Sequence, residues 1–175
     1  IAGGRPRYKD EIDLHVKDLT LFTKSLSEKN KKRMSLKYLI TRDTDYVRKS
    51  MSNVFPKLNL FNSKKNTYML NFKISVETLN STGFLDAMYL NHPVILLLNK
   101  AFSNLRQNVI KDFEVLKEFK IVHFDPLSAA EFLNDNYENL EEWWYDPDLQ
   151  NTRKNFCHTY VRKSVKPFID IKKIN

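Results

Sequence analysis

The feature that most constrains the fold is a continuous apolar run at residues 93–98, with the sequence Pro-Val-Ile-Leu-Leu-Leu. A run of this length without polar alternation is typical of a strand that other elements cover on both faces. No apolar run in the chain approaches the roughly 18 residues that a membrane-spanning helix needs. The run therefore predicts a buried central strand.

Strand and helix patterns alternate on both sides of this run. Strand patterns cover residues 34–41, 57–61, 72–78 and 120–124, and helix patterns cover 8–26, 43–53, 84–91 and 102–116. Two further helices are predicted to begin at Asp125-Pro126 and Asp146-Pro147, because Asp is a favourable N-cap and Pro a favourable first helical residue. The alternation predicts an α/β fold with a parallel sheet, helices on both faces and C-terminal helices.

The predicted organisation has three parts. Residues 1–32 form an amphipathic helix and a basic loop, residues 33–164 form the α/β domain, and residues 165–175 form a basic tail. The chain starts Ile-Ala-Gly-Gly-Arg-Pro, without a methionine or a signal-peptide pattern. We therefore expect a cytoplasmic piece of a longer polypeptide, or a chain whose true start is not shown.

The basic charge of the chain is unevenly distributed. The formal net charge is +8, with +10 in residues 1–110, −8 in residues 111–149 and +6 in residues 150–175. A nucleic-acid site usually has aromatic residues among its basic ones, but the densest basic run, residues 29–33, has none. We therefore expect nucleotide phosphates or an anionic membrane surface as partners in preference to nucleic acid.

Glycine and cysteine are scarce enough to exclude several kinds of site. The three glycines are Gly3, Gly4 and Gly83, which excludes both glycine-rich phosphate loops, GxGxxG and GxxxxGK[ST]. The single cysteine, Cys157, excludes an internal disulfide and a CxxC site. No histidine or carboxylate spacing indicates a dedicated metal site, so no metal is predicted.

One turn in the chain has the properties of a binding site. Residues 77–83, Glu-Thr-Leu-Asn-Ser-Thr-Gly, lie between a predicted strand and a predicted helix, where ligands bind in parallel sheets. The free N–H groups of a helix start suit a phosphate, Ser81 and Thr82 add hydroxyl donors, and Gly83 allows an anion to approach the backbone. The alternative is that Asn80, Ser81 or Thr82 only caps the helix.

Three blocks of the sequence resemble a known family. They are NSTGFLDAMYLNHPVILLLN, FKIVHFDPLSAAEFLNDNY and EEWWYDPDLQNTRKNFCHTYVRKS, within residues 33–164. They resemble a family of bacterial transferases for surface-polysaccharide and O-antigen assembly. Members of that family in turn resemble the Rossmann-like, C-terminal donor-binding half of GT-B glycosyltransferases.

This resemblance implies a nucleotide-sugar donor and no other cofactor. It places the donor phosphates at Asn80, Ser81 and Thr82, with Gly83 beside them. It implies that Asp86 contacts sugar or ribose hydroxyls, although the family usually has the longer Glu there. It also implies an upstream acceptor-binding domain, without which we expect little or no turnover.

Several other residues are candidates, each with a structural alternative. Arg106 is a phosphate ligand or a surface arginine, and Arg42 is a second phosphate candidate at the end of the first strand. His92 and His123 are possible acid/base groups, or a turn histidine and a core histidine. The tandem Trp143-Trp144 is favoured as packing over a sugar platform. A non-catalytic interaction domain remains the main alternative function, with a nucleic-acid binder third.

Overall fold

The computed structural model describes residues 9–37, 42–57, 59–61, 66–99 and 105–161. Its helices and strands alternate, as the sequence patterns predict. They run in the order α1 Lys9–Ser25, α2 Glu28–Arg33, β1 Ser35–Lys37, α3 Arg42–Val54, β2 Asn59–Phe61, β3 Ser75–Glu77, α4 Thr82–Tyr89, β4 Val94–Leu97, α5 Gln107–Glu118, β5 Val122–His123, α6 Pro126–Asn136, α7 Leu140–Trp144 and α8 Pro147–Tyr160. Short 3₁₀ helices lie at Asn66–Asn71 and Tyr137–Asn139. The predicted basic tail, residues 165–175, lies outside the described residues.

The strands form two parallel sheets in the described part of the chain. β1 pairs with β2, and β4 lies between β3 and β5 in a three-stranded sheet. All pairs are parallel, with Ser75 opposite Val94 and Leu97 opposite His123. The predicted parallel α/β architecture with C-terminal helices is therefore confirmed, although the predicted single sheet is divided into two.

The central strand β4 explains the layered packing of the three-stranded sheet. Its residues are all buried and alternate between two hydrophobic clusters. Ile95 and Leu97 pack with Phe22 of α1, with Leu26 just after that helix and with α6, whereas Leu96 packs with α4, α5 and α8. Since successive side chains of a strand point to opposite faces, an all-apolar strand needs helices on both sides. The N-terminal helix α1 is thus one layer of this packed unit.

The basic run at residues 29–33 is helical, which corrects the predicted loop. Ser27 caps α2, because its Oγ accepts a hydrogen bond from the N–H of Asn30 at 3.3 Å. Glu28 lies in the first turn and the basic residues lie in the last turn, which complements the helix dipole. Local capping chemistry therefore outweighs the high charge of the run.

The Asp-Pro predictions are confirmed at both positions. Asp125 accepts from the N–H of Ser128 at 2.9 Å at the start of α6, and Asp146 accepts from Asp148 and Leu149 at the start of α8. Other predicted bounds are less accurate. β3 is limited to residues 75–77 of the predicted 72–78, and α4 begins two residues earlier than expected.

The structure confirms a packing role for the tandem tryptophans. Trp143 donates from Nε1 to the carbonyl of Phe119 at 2.9 Å. Trp144 is fully buried and donates to the carbonyl and the side-chain oxygen of Asn91, at 3.1 and 3.0 Å. Gln150 also donates to the Asn91 side chain, at 3.0 Å. These bonds join α7 to the end of α5, and α7 and α8 to the end of α4, so the alternative of a sugar platform is not needed to explain the pair.

Candidate functional site

The carboxyl ends of β3, β4 and β5 meet at one edge of the three-stranded sheet, because the strands are parallel. We call this the carboxyl edge. Glu77 ends β3, Asn99 follows β4, and His123 ends β5. In open parallel sheets this edge is where ligands bind.

The start of α4 lies at this edge and has no side-chain cap. Ser81 is its N-cap in an extended conformation, and no hydroxyl or amide caps the helix among the described residues. The N-cap side chain does form a cap at α2, α6 and α8. Because the first N–H groups of a helix have no partner within it, the start of α4 leaves donors for another acceptor. The capping alternative is therefore wrong for Ser81.

Asn80, just before α4, is a second unusual feature of this turn. Its side chain is only 6% exposed, and its Oδ1 has no hydrogen-bond partner within the part of the chain that the structure describes. Burying an unpaired polar atom costs about 1–3 kcal/mol, so such atoms usually mark a missing partner. The predicted residues Asn80, Ser81 and Thr82 thus lie together with unused hydrogen-bonding capacity.

A carboxylate already lies against the start of α4. A Cβ atom built on Gly83 would be 2.8 Å from Oε2 of Glu77 and 3.2 Å from its Cδ. Only glycine allows this approach, which is the role predicted for Gly83, but the anion is a side chain of the protein itself. Burial lowers the pKa of Lys37, at the end of β1, while the charge of Glu77 raises it. Lys37 is therefore electrostatically coupled to the carboxylate.

The two arginine candidates occupy different elements. Arg106 is the N-cap residue of α5, which follows β4, and its exposed side chain forms no cap. It therefore lies on the connection that leaves the carboxyl edge. Arg42 is the first residue of α3, which follows β1 in the other sheet, and its side chain lies outside the described region. Asp86 lies one turn into α4 and is half-buried, with interactions of its own.

His92 lies at the other end of the sheet. It precedes β4, whereas the Asn80 turn follows β3, so the two are separated by the length of a strand, about 13 Å for four residues. Its side chain is buried, its Nε2 has no partner in the regions described, and burial lowers its pKa. The structure does not bring His92 to the start of α4.

His123 does lie at the carboxyl edge, next to a serine. Its Nδ1 is 2.7 Å from Oγ of Ser128, and its Nε2 is 3.0 Å from the carbonyl oxygen of Lys120. The ring is 4% exposed, and burial is the main cause that lowers its pKa. Ser128 is exposed and lies in the first turn of α6. The sequence reasoning missed this serine, since a five-residue spacing across a strand end and a helix start is no recognised pattern.

A comparison with protein-family models identifies the family of this chain. The family model described as LIC12162 family transferase matches residues 11–174. The chain belongs to this transferase family. Comparisons with curated proteins and with solved structures found no match. The transferase expectation is therefore confirmed, whereas the glycosyl, O-antigen and GT-B assignments are finer than the family description and belong to the proposal below.

This transferase also has a residue pair at the carboxyl edge that the sequence patterns did not indicate. Asn99, after β4, donates from Nδ2 to a carboxylate oxygen of Asp18 on α1. His15 lies one turn earlier on α1, and its pKa is lowered by burial, partly offset by the charge of Asp18. Helix α1 therefore contributes polar groups to the edge, which the spacing of its apolar residues did not reveal.

The basic helix α2 is largely neutralised by acidic neighbours. Glu138 pairs with Lys29 at 2.6 Å and with Arg33 at 2.9 Å, and these contacts lower its pKa to about 2. Lys31 pairs with Glu28 at 2.8 Å. A surface whose basic groups are bound to carboxylates is a poor phosphate-binding stripe. This arrangement counts against a nucleic-acid interface at α2.

No metal site or membrane span is evident in the parts that the structure describes. Those residues contain no group of three or more histidines, cysteines, aspartates or glutamates that could hold a metal ion. None of the described helices is long and apolar enough to cross a membrane.

Proposed function

We propose that the chain binds the nucleotide-sugar donor of a glycosyl transfer in bacterial surface-polysaccharide assembly. The observation that carries the proposal is the start of α4 at the carboxyl edge, which the Ser81 side chain does not cap and where a carboxylate already approaches the backbone of Gly83. The donor phosphates replace that carboxylate at the N–H groups of the helix start, with the Ser81 and Thr82 hydroxyls as additional donors. Membership of a transferase family supports a group-transfer reaction.

The remaining groups at the edge fit the other parts of such a donor. Arg106, exposed at the start of α5, supplies the positive charge that a diphosphate needs. The buried Asn80 Oδ1 has no partner among the described residues and accepts from a ribose or sugar hydroxyl. Asp86 serves the same hydroxyls from one turn further along α4. The acceptor and its binding groups come from a separate domain, and the basic charge of the chain favours an anionic membrane surface nearby.

Calorimetric titration with CMP, UDP and GDP tests the proposal. We expect at least one of them to bind, and the double variant Ser81→Ala/Thr82→Ala to bind it several-fold more weakly. Ser52→Ala is the matched control, because its hydroxyl donates to the carbonyl of Arg48 within α3 and not at the carboxyl edge. Folded protein that binds none of the three nucleotides would refute the donor site.

The main alternative is a non-catalytic interaction domain, in which the start of α4 is held by Glu77 alone. A crystal soaked with the nucleotide that binds best distinguishes the two functions. Density for phosphate at residues 80–83 supports the transferase, whereas an unchanged Glu77 with no ligand supports the interaction domain. A gel-shift titration at low salt tests the third candidate, for which we expect no oligonucleotide binding.

A further inference from the structure

Ser128, His123 and Lys120 form a hydrogen-bonded chain at the carboxyl edge. The carbonyl oxygen of Lys120 only accepts, so the hydrogen of a neutral imidazole lies on Nε2, 3.0 Å away. Nδ1 is then an acceptor, and the Ser128 hydroxyl donates to it at 2.7 Å. Lys120 has a left-handed backbone with φ of 61°, because it follows α5 in a Schellman-type C-cap, in which the N–H of Ile121 donates to the carbonyl of Leu116 at 2.9 Å.

The burial of the two side chains differs in a way that favours chemistry at the serine. His123 is 4% exposed and packs beside the ring of Phe132, with centroids 5.7 Å apart, so water has little access to the base. Ser128 is exposed, so a reagent in solution can reach its oxygen. The arrangement has the elements of a nucleophile, a base and a group that orients the base.

We propose that Ser128 is a reactive serine with His123 as its general base, able to take an acyl group from a neutral ester. Ser128 Oγ attacks the ester carbonyl carbon, and its proton passes to Nδ1 of His123. The new Oγ–C bond forms, the ester C–O bond breaks, and His123 returns the proton to the leaving alcohol. Water or a second hydroxyl compound then releases the acyl group by the reverse steps.

The surroundings of the serine select the class of electrophile. The carboxylate of Asp125 accepts from the N–H of Ser128 at 2.9 Å, so a negative charge lies beside the nucleophile. Anionic electrophiles are therefore disfavoured. The charged groups that act on His123 are Lys120, which lowers its pKa, and Asp125, which raises it.

Covalent labelling tests this site independently of nucleotide binding. The protein is treated with phenylmethylsulfonyl fluoride, which forms an O–S bond to serine and releases fluoride, and the modified peptides are identified by mass spectrometry. General-base assistance is worth at least about 100-fold, so we expect Ser128 to react about 100-fold faster than Ser27. Ser27 is exposed but serves only as the cap of α2, which makes it an internal control.

Variants and pH separate a catalytic role from a structural one. Ser128→Ala should abolish the label, and His123→Gln, which preserves both hydrogen bonds but has no basic nitrogen, should slow it about 100-fold. In the unmodified protein the rate should fall as His123 is protonated, with a midpoint below 6.5. Equal rates at Ser128 and Ser27 would overturn the proposal. So would an unchanged rate in folded His123→Gln, or, if that variant does not fold, a pH-independent rate in the unmodified protein.

A neutral ester and its charged analogue test the selectivity. We expect 4-nitrophenyl acetate to give a burst of nitrophenolate that Ser128→Ala lacks. An ester with an anionic acyl group should react more slowly, and Asp125→Asn, which still caps α6, should reduce the difference. If Ser128 is labelled but neither ester gives a burst, the proposed acyl transfer is refuted and Ser128 is only a reactive serine.

Discussion

Replacing Glu77 with Gln should tighten the binding of a nucleoside diphosphate. The Glu77 carboxylate lies 2.8 Å from the position of a Cβ on Gly83, at the helix start where we propose the phosphate binds. A phosphate oxygen bound to the first N–H groups of α4 would lie about 2.9 Å from the nitrogens. For a carboxylate that has moved aside to admit it, we take a separation of about 5 Å between the two negative charges. The carboxylate and the phosphate therefore compete for one site.

The size of the effect follows from Coulomb's law. Two unit charges about 5 Å apart repel by about 3 kcal/mol at an effective dielectric constant of about 20. Lys37 is coupled to Glu77, and water reaches both groups, so we expect about half of this repulsion to be realised. A change of about 1–2 kcal/mol corresponds to roughly 5- to 30-fold tighter binding in Glu77→Gln.

The same substitution should lower the stability of the unliganded protein. A carboxylate at a helix start contributes about 0.3–1 kcal/mol through the helix dipole, and Glu77→Gln removes this contribution. Affinity and stability therefore change in opposite directions, which a general loosening of the structure would not produce. Titration calorimetry with UDP or GDP measures the affinity, and urea unfolding measures the stability.

Glu114→Gln is the matched control for the change in net charge. Glu114 lies on α5, is exposed, and pairs with Lys117 at 3.3 Å. It should leave nucleotide affinity unchanged. If Glu77→Gln binds nucleotide no more tightly than the unmodified protein, or more weakly, the carboxylate does not compete with the phosphate and the repulsion argument is refuted.

Further predictions concern stability and pH. Asn91→Ala should lower the unfolding free energy by about 2–3 kcal/mol in urea titrations, because it removes two side-chain hydrogen bonds and puts alanine at φ 54°. Asn91→Gly should be destabilised less than Asn91→Ala, because glycine adopts a φ of 54° without strain. Equal losses of stability in the two variants would show that the left-handed backbone contributes nothing. Arg153→Met should cost about 1–3 kcal/mol, because Arg153 donates to the buried carbonyl of Met88 at 2.6 Å. Stability should also fall as pH drops below 6.5, the ordinary histidine pKa, because burial lowers the pKa of three histidines in the native state and the unfolded chain then binds more protons. The slope is at most about 1.4 kcal/mol per pH unit for each of them, and His123→Gln should reduce it.

The elements that local chemistry controls could be predicted from the sequence. The Asp-Pro pairs determine where α6 and α8 begin, because an N-cap and a fixed proline backbone act within a few residues. The apolar run at residues 93–98 indicates β4, because a run of this short length without polar residues is typical of a strand covered on both faces. The basic run at residues 29–33 was wrongly predicted to be a loop. The prediction considered the charge of the run and overlooked that Ser27 can cap a helix there.

Which residues meet at the candidate site depends on contacts between elements that are far apart in the sequence. The Asn-Ser-Thr turn was recognisable because its residues are adjacent, but the approach of Glu77 to Gly83 needs a folded turn that brings a strand end back onto a helix start. Asp18 and Asn99 are separated by 81 residues, and only the packing of α1 on the sheet joins them. His92 and His123 looked equivalent as candidates until the strand direction placed them at opposite ends of the sheet.

The sequence by itself therefore determined the alternation of helices and strands, the parallel α/β class and the turn at residues 80–83. These follow from periodicity, capping and the exclusion of glycine-rich loops, all of which act over short distances. Only the tertiary structure decided that the Glu77 carboxylate lies at the start of α4 and that Ser128 is hydrogen-bonded to His123. The physical reason is that hydrogen bonds and charges between elements depend on where strands end in space, which no local pattern of residues records.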